Sequence, residues 1–239
     1  MAGSVTVSVS TWQQPLPPAG GPQRATVLRM IADHIGTTDT GRVRVAIDGP
    51  TAAGKTSFGH ELAGMLSDDG RDVFRASLDD FKRPWAERHK YDRFTGEGYY
   101  RNAYDHEAVR RLLLEPASPD GDGVAALCSI DPITQVRHDG TTVHIPADGV
   151  LIVDGLFTLR PELVASWDYR VWLEVEGKLS IERGAARDAD RDGLEEAATL
   201  HRDRYGPALD LYLAEADPLA QADVIIDNTD FENPRVIRS

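Results

Sequence analysis

The chain has 239 residues, of which 41% are hydrophobic and 27% are charged, and its formal net charge is −13. This net negative charge argues against broad binding to nucleic acid or anionic membranes, since affinity for those partners comes from lysine and arginine side chains that bind phosphates. No apolar run approaches the roughly 20 residues of a membrane helix. With no secretory signal pattern at the start and only one cysteine, Cys128, the sequence predicts a cytoplasmic protein.

The first part of the chain reads as an arm followed by a helix. Prolines and glycines between Gln13 and Gln23 are typical of an extended arm or linker. Apolar residues then recur at helical spacing over residues 24–35, at Val27, Leu28, Ile31 and Ile35. We assign residues 1–41 to this arm and short helix, and such an arm could pack on a neighbouring subunit of a homo-oligomer.

The rest of the chain, residues 42–239, alternates strand and helix patterns. "GRVRVAIDG" predicts a strand that runs into a glycine-rich loop, and "KTSFGHELAGMLSDDG" predicts a helix that ends near Gly70. Further strands are predicted at "DVFRASLDDF", "GVLIVDGLF", "YRVWLEVE" and "ADVIIDN". "GVLIVDGLF" is almost entirely apolar, as in the middle of a parallel sheet. The alternation predicts one doubly wound α/β domain with a mainly parallel sheet.

One segment departs from this alternation. Asp139-Gly140 lies between two β-rich stretches, a pattern typical of a tight hairpin turn. We therefore expect a β-hairpin insertion over about residues 127–146.

The segment "GPTAAGKT", which follows the strand predicted at "GRVRVAIDG", fits the phosphate-binding pattern G-x-x-x-x-G-K-S/T. It follows a strand and opens a helix, and this is the context that supports the motif. Backbone N–H groups of such a loop face the phosphates, a lysine reaches the β- and γ-phosphates, and a hydroxyl ligates Mg²⁺. The motif predicts an ATP·Mg²⁺ site of the P-loop NTPase type at Gly49, Pro50, Thr51, Ala52, Ala53, Gly54, Lys55, Thr56 and Ser57.

Two strands end in acids that belong on the same edge of the sheet as this loop. Asp79 and Asp80 close "RASLDDF", and Asp154 closes "VLIVDG". Phosphoryl transfer needs one carboxylate to align or deprotonate the acceptor and another to help hold the metal. An Asp after a strand is more often only a cap or turn former, but two of them beside a phosphate loop favour catalytic or metal roles.

A stripe of arginines follows the fourth strand. Arg183, Arg187 and Arg191 recur every four residues, so they share one face of a predicted helix. The pattern fits a lid over about residues 178–194 that closes on the nucleotide, and it equally fits a solvated face with i,i+4 pairs.

Taken together, "GPTAAGKTS", "SLDDF", "YDHEAV", "IVDGLF", the arginine segment and "ADVIIDN" resemble, in order and spacing, the uridine kinases. More broadly, the chain resembles the uridine kinase and phosphoribulokinase group of P-loop kinases over residues 42–228. The resemblance implies that Asp79 takes the proton of a nucleoside 5′-hydroxyl, and that Lys55 and Arg187 take part in catalysis. It implies that Thr56 and Asp154 hold Mg²⁺ and that Arg183 and Arg187 contact ATP.

The same resemblance implies an acceptor site formed by Asp79, Tyr104, Asp105, His106, Asp131, Gln135 and Arg137. The chain departs from the family pattern here. It has Ile130-Asp131 and Gln135 where members commonly have Tyr-Asp and a histidine that read the base, Lys82 where many have a tyrosine, and Asp154 where members have glutamate. The phosphate-binding residues match the family pattern, whereas the base-reading residues are altered.

Three functions therefore stay open at this point. The first is an ATP-dependent kinase whose acceptor is uridine or cytidine. The second is a kinase of the same fold for another small molecule, such as a pantothenate-like or sugar-phosphate acceptor, which the cations following Asp79 could hold. The third is a nucleotide-dependent switch that acts through a protein partner, although the chain has no N-K-x-D pattern for reading guanine.

Overall fold

The computed structural model describes residues 2–18, 20–37 and 41–239. The strands are β1 Val5–Val7, β2 Val43–Asp48, β3 Val73–Ser77, β4 Val124–Ala125, β5 Val143–His144, β6 Val150–Asp154, β7 Tyr169–Glu174, β8 Val224–Asp227 and β9 Arg235–Arg238. The helices are α1 Pro22–Gly36, α2 Lys55–Asp68, α3 Gly96–Asn102, α4 His106–Val109, α5 Gly177–Asp192, α6 Leu194–Leu200, α7 Gly206–Ala216 and α8 Pro218–Gln221.

Shorter turns link these elements. Leu78–Phe81, Trp85–Glu87 and Val164–Ser166 form 3₁₀ helices, and Arg110–Leu114 and His201–Tyr205 form π-helical turns. The second π-helical turn joins α6 to α7, so residues 194–216 form three consecutive helical segments.

Seven strands form the central sheet in the order β1-β3-β6-β2-β7-β8-β9, and every neighbouring pair is parallel except β8 and β9. The chain runs from β2 to β3 and back to β6 on one side of β2, whereas β7 and β8 lie on the other side. The loop after β2 is therefore at a topological switch point, where ligands of open α/β sheets bind. The predicted fold class is confirmed.

The sheet is covered on both faces because alternate residues of its central strands point to opposite sides. Val45 and Ile47 pack into a core with α1 and α2, whereas Ala46, between them, packs into the core on the other face. That second core includes side chains of α3, α4 and α7. Each large apolar side chain buried in this way contributes roughly 1.5–3 kcal/mol to folding.

The hairpin insertion is present, but its predicted turn is wrong in position. Strands β4 and β5 pair antiparallel, and an inner bridge joins Ile130 to Arg137, so the chain reverses between these two residues. The Asp131 carboxylate fixes this reversal by accepting hydrogen bonds from two backbone N–H groups of the turn at 2.8 Å each. Asp139 and Gly140 lie beyond it, in a separate turn on the returning segment.

The first residues of the chain extend the sheet, which the sequence analysis did not predict. Val5–Val7 forms edge strand β1 and pairs parallel with β3. The division of the chain at residue 41 stays a prediction, and residues 38–40, next to it, lie outside the described residues. Across the described ranges, no helix combines the length and apolarity needed to cross a bilayer.

Candidate active site

The glycine-rich loop connects β2 to α2, as its motif predicts. Gly49 and Gly54 have φ angles of 144° and 87°, which glycine adopts readily. A Cβ atom on Gly49 would also lie 2.3 Å from the carbonyl oxygen of Leu173, so no larger residue fits there without a shift of the backbone. Helix α2 begins at Lys55, and its N-terminal N–H groups give the loop a local preference for anions.

The Lys55 side chain folds back onto the phosphate loop that precedes it. Its Nζ donates hydrogen bonds to the carbonyl oxygens of Gly49 at 2.9 Å and Pro50 at 2.6 Å. Burial lowers the pKa of Lys55 to about 8, and the opposing effects of the Asp48 and Asp154 carboxylates do not compensate. The ammonium is thus held inside the loop by groups that a phosphate can replace.

Asp154 lies beside the loop, at the end of β6. Thr56 Oγ1 donates a hydrogen bond to Asp154 Oδ2 at 2.7 Å, and Arg75 forms an ion pair with the other carboxylate oxygen. Arg75 comes from the neighbouring strand β3, is only 4% exposed and was not predicted as a site residue. The pair formed by Thr56 and Asp154 was predicted and is brought together.

These two residues have the chemistry of a Mg²⁺ site. Within the described part of the chain, no group of three or more His, Cys, Asp or Glu side chains could hold a metal by itself. Mg²⁺ is usually held by one or two carboxylates, water molecules and substrate phosphates, so one hydroxyl and one carboxylate beside a phosphate loop are sufficient. The donor set fits the ion that the fold implies.

Asp79 lies at the end of β3, in the 3₁₀ turn Leu78–Phe81, and this turn is capped by the Ser77 hydroxyl. Asp79 Oδ1 accepts a hydrogen bond from the Tyr104 hydroxyl at 3.0 Å and lies 2.8 Å from Lys82 Nζ. Burial raises the pKa of Asp79, but Lys82 and the Tyr104 hydroxyl outweigh burial and bring it below its ordinary value. The carboxylate is therefore ionised at neutral pH.

Helix α5 carries the arginine stripe of the predicted lid. Closure of this helix over a nucleotide stays a prediction, and we keep the name lid for α5. Arg183 donates hydrogen bonds to the carbonyl oxygens of Asn228 and Thr229, and Arg187 pairs with Asp188 on the same helix. Arg187 also interacts electrostatically with Lys55 and Asp79. The arginine stripe thus faces the loop and the Asp79 carboxylate rather than bulk solvent alone.

The lid is tied directly to the phosphate loop by contacts that the sequence analysis missed. Ser180 Oγ donates to the carbonyl oxygen of Thr51 at 2.6 Å, and the Thr51 hydroxyl lies 3.2 Å from His201 Nδ1. His201 is buried, and its Nε2 lies 2.9 Å from Asp188 Oδ2 on the lid. Thr51 of the loop is therefore in contact with both the start of the lid and the π-helical turn that follows α6.

All of these elements line one cavity of about 840 Å³, which we call the main cavity. The phosphate loop lines this cavity, and so do Asp79, Tyr104 and Asp154. Residues 12–18 of the N-terminal arm form another wall, and Trp12 lies 5.2 Å from the Arg191 guanidinium on the lid. The sequence analysis did not predict this wall, because a proline-rich segment has the composition of a linker whether or not it packs against a partner.

Several residues predicted for the acceptor site do not line the main cavity. Asp105 caps α4 by accepting a hydrogen bond from Ala108 N at 3.1 Å, and it lines a small cavity of about 90 Å³ together with Arg137. The His106 ring lies 6.4 Å from the Tyr104 ring, centroid to centroid, in a tilted arrangement, and His106 is not part of the lining of the main cavity.

Asp131 and Gln135 are engaged in the hairpin and its neighbours. Asp131 also accepts a hydrogen bond from Thr11 N of the arm at 2.6 Å. Gln135 uses its amide to donate to the Asp131 and Pro132 carbonyl oxygens and to accept from Trp85 N. The structure therefore brings together the predicted phosphate-binding residues, Asp79 and Tyr104, but not this second group.

Comparison with solved structures supports the fold. The chain is similar to a protein described as a possible uridine kinase from Bacillus stearothermophilus, with 21% identity and a TM-score of 0.63 over 84% of this chain and 97% of that chain. It is similarly related to a provisionally named fructose transport system kinase from Silicibacter sp. TM1040, with 21% identity and a TM-score of 0.62 over 84% of this chain and 96% of that chain. No protein-family model and no curated protein sequence matches the chain. The chain thus has the α/β fold, with its mainly parallel sheet, of these P-loop kinase structures.

Proposed function

We propose that this chain is an ATP-dependent phosphotransferase that moves the γ-phosphoryl group to a hydroxyl group of a small molecule. The observation that carries the proposal is the shared cavity: the phosphate loop with Lys55 and the ionised Asp79 carboxylate line the same cavity. A nucleotide-binding loop alone would equally serve a switch, whereas an ionised acid facing the phosphates is what an acceptor hydroxyl requires.

The residues divide the chemistry between them. Lys55 and the N–H groups of the loop hold the β- and γ-phosphates, and Arg187 adds positive charge near them. The acceptor oxygen bonds to the γ-phosphorus as the bond to the β,γ-bridging oxygen breaks. The hydroxyl proton passes to Asp79, and ADP leaves.

Thr56 and Asp154 would hold Mg²⁺, which, when bound, supplies charge neutralisation at the phosphates. On the protein side, Arg75 fixes the Asp154 carboxylate from the neighbouring strand, and Thr56 approaches its other oxygen. These contacts orient the carboxylate before any ligand binds.

For the acceptor itself, the sequence resemblance supports uridine or cytidine, phosphorylated at the 5′-hydroxyl. The name of the Bacillus stearothermophilus protein points the same way, whereas that of the Silicibacter protein points to a sugar. The residues of the cavity therefore support the reaction type, and the choice among acceptors is the subject of the test.

The test is ADP release from Mg·ATP with and without uridine, cytidine, pantothenate and several sugar phosphates. We expect one acceptor to stimulate release, and Asp79→Asn to lower kcat about 10²- to 10⁴-fold, because the amide can no longer take the proton. Asp203→Asn, an exposed change outside the cavity, is the matched control. Slow hydrolysis that no acceptor accelerates, and that is the same in Asp79→Asn, would favour the switch instead.

A further inference from the structure

A guanidinium without a carboxylate partner lies on the Asp79 side of the main cavity. Arg204, in the π-helical turn His201–Tyr205, has its Cζ 4.6 Å from the centre of the Tyr99 ring and lines the cavity. Its Nε is buried, and no described protein atom accepts a hydrogen bond from it. The charge of Arg204 therefore rests on aromatic faces rather than on an anion.

The acids near Arg204 are already engaged. Asp79 pairs with Lys82, Asp188 pairs with Arg187, and Asp203 pairs with Arg202 on the outside of the same turn. Within residues 2–18, 20–37 and 41–239, no ion pair involves Arg204. Burying part of a cation without a partner costs desolvation free energy, which a bound anion would offset.

Further positive charge surrounds the same corner. Arg88 has a buried Nη2 without a hydrogen-bond partner, and its Nε donates to the Arg83 carbonyl oxygen rather than to an acid. Burial lowers the pKa of Arg88, and the nearby charge of Arg204 lowers it further. Lys82 lines the cavity between Asp79 and Tyr104. Neighbouring positive charges repel each other, and an anion bound between them would relieve this repulsion.

The aromatic residues connect this corner to the reacting centre. Arg204 lies over Tyr99, whose hydroxyl is 2.8 Å from that of Tyr104, and Tyr104 in turn donates to Asp79. A small molecule that places a hydroxyl at Asp79 would therefore extend toward Arg204 across these two tyrosines.

We infer that the acceptor is itself an anion, carrying a phosphate monoester or carboxylate group that Arg204 and Lys82 bind while its hydroxyl faces Asp79. The inference rests on the proposed phosphotransferase function and narrows its substrate class. It differs from the uridine or cytidine expected from the sequence resemblance, because a neutral nucleoside would leave Arg204 unpaired. Arginine recognises phosphate and carboxylate groups through paired N–H donors, so either anion satisfies this corner.

The first experiment measures anion binding without catalysis. Inorganic phosphate and acetate are titrated by calorimetry into the complex of the protein with Mg²⁺ and a non-hydrolysable ATP analogue, which occupies the phosphate loop. We expect phosphate or acetate to bind, and Arg204→Gln to weaken that binding about tenfold or more. Arg202→Gln, two residues away and paired outside with Asp203, should leave it unchanged. Equal binding in Arg204→Gln and wild type, or no anion binding at all, would overturn the inference.

The second experiment compares acceptors that differ only in charge. The pairs are ribose with ribose 5-phosphate, glycerol with glycerate, and pantothenol with pantothenate, with uridine and cytidine alongside. A preference for the phosphate or carboxylate member that Arg204→Gln abolishes would support the inference and identify the anion.

Stimulation by uridine or cytidine, unaffected by Arg204→Gln, would overturn the anionic acceptor and leave the phosphotransferase intact. Failure of the wild type to bind the ATP analogue would contradict the proposed function itself. The two proposals therefore fail in different measurements.

Discussion

At the scale of single residues, the enclosure of Lys55 makes its charge depend on pH close to neutrality. Its pKa of about 8 lies well below that of an exposed lysine, since burial disfavours the charged form. Above that pH the free protein increasingly carries a neutral amine in the loop. We predict that the Kd for Mg·ATP rises by up to about tenfold per pH unit above that point, because binding must then take up a proton.

Calorimetric titration between about pH 7 and about pH 10 measures this effect. Lys55→Arg is the control, since its guanidinium stays charged throughout this range and its Kd should be flat with pH, even if weaker. A Kd for the wild type that does not change across the range would show that the ammonium is not shielded in solution.

Asp80 gives a separate prediction, which concerns folding stability. Burial raises the pKa of Asp80 to about 7, despite hydrogen bonds from Ser8 and Ser10 of the arm. The folded protein then holds a proton that the unfolded chain has released, so the free energy of unfolding falls as pH rises from about 4 to about 7. We predict that Asp80→Asn removes this loss and stabilises the protein more at pH 8 than at pH 5.

Urea unfolding at both values of pH measures the difference. Asp120→Asn, at an exposed site, is the control and should shift neither value. If Asp80→Asn destabilises the protein equally at both, the carboxyl group is ionised in the folded state and the argument fails.

At the scale of elements, the lid depends on close packing between α5 and the π-helical turn that follows α6. A Cβ atom on Gly184 would lie 2.0 Å from His201 Cε1, and His201 holds both Asp188 and Thr51. We predict that Gly184→Ala displaces the lid, at a cost of about 1–3 kcal/mol, and raises the KM for ATP. Hydrogen exchange of α5 should become faster in parallel.

Gly177→Ala is the matched control on the same helix, because a Cβ atom there meets nothing within 4 Å. It should leave exchange and KM unchanged or slightly improve helix stability. If the two variants behave alike, packing of His201 against Gly184 does not hold the lid.

The elements that could be predicted are those with a local signal. The centre of the sheet could be predicted from the apolar runs of β2 and β6. The phosphate site could be predicted from the loop motif at Gly49 to Thr56. Each of these patterns determines the local backbone conformation without distant contacts. β1 could not be predicted, because Val5 and Val7 are 41% and 45% exposed and are strand residues only through pairing with β3. Arg75 and Arg204 are site residues only through tertiary packing, which no short pattern encodes.

At the scale of the whole molecule, the acidic chain has a cavity whose lining carries more positive than negative side chains. Its net charge is −13, yet among the described residues that line the main cavity five aspartates are outnumbered by seven cationic side chains, Lys55, Arg75, Lys82, Arg183, Arg187, Arg191 and Arg204. We expect this separation to favour the binding of a small anion over that of extended polyanions, which the net negative charge of the chain would repel. Binding at this cavity should also stabilise the entire fold, because loop, sheet edge, lid and arm all contribute walls.

The last prediction uses this coupling to test the metal site without measuring activity. A ligand that binds only the folded state raises the free energy of unfolding by about 2.7 kcal/mol at 100 times its Kd. We predict that ATP with Mg²⁺ raises the melting temperature more than ATP with EDTA, and that Asp154→Asn reduces this Mg²⁺-dependent increment. The variant also loses the ion pair with Arg75 and starts from a lower melting temperature. Comparing ATP with and without Mg²⁺ within each protein cancels that difference, so an unchanged increment in Asp154→Asn would exclude Asp154 as a metal ligand.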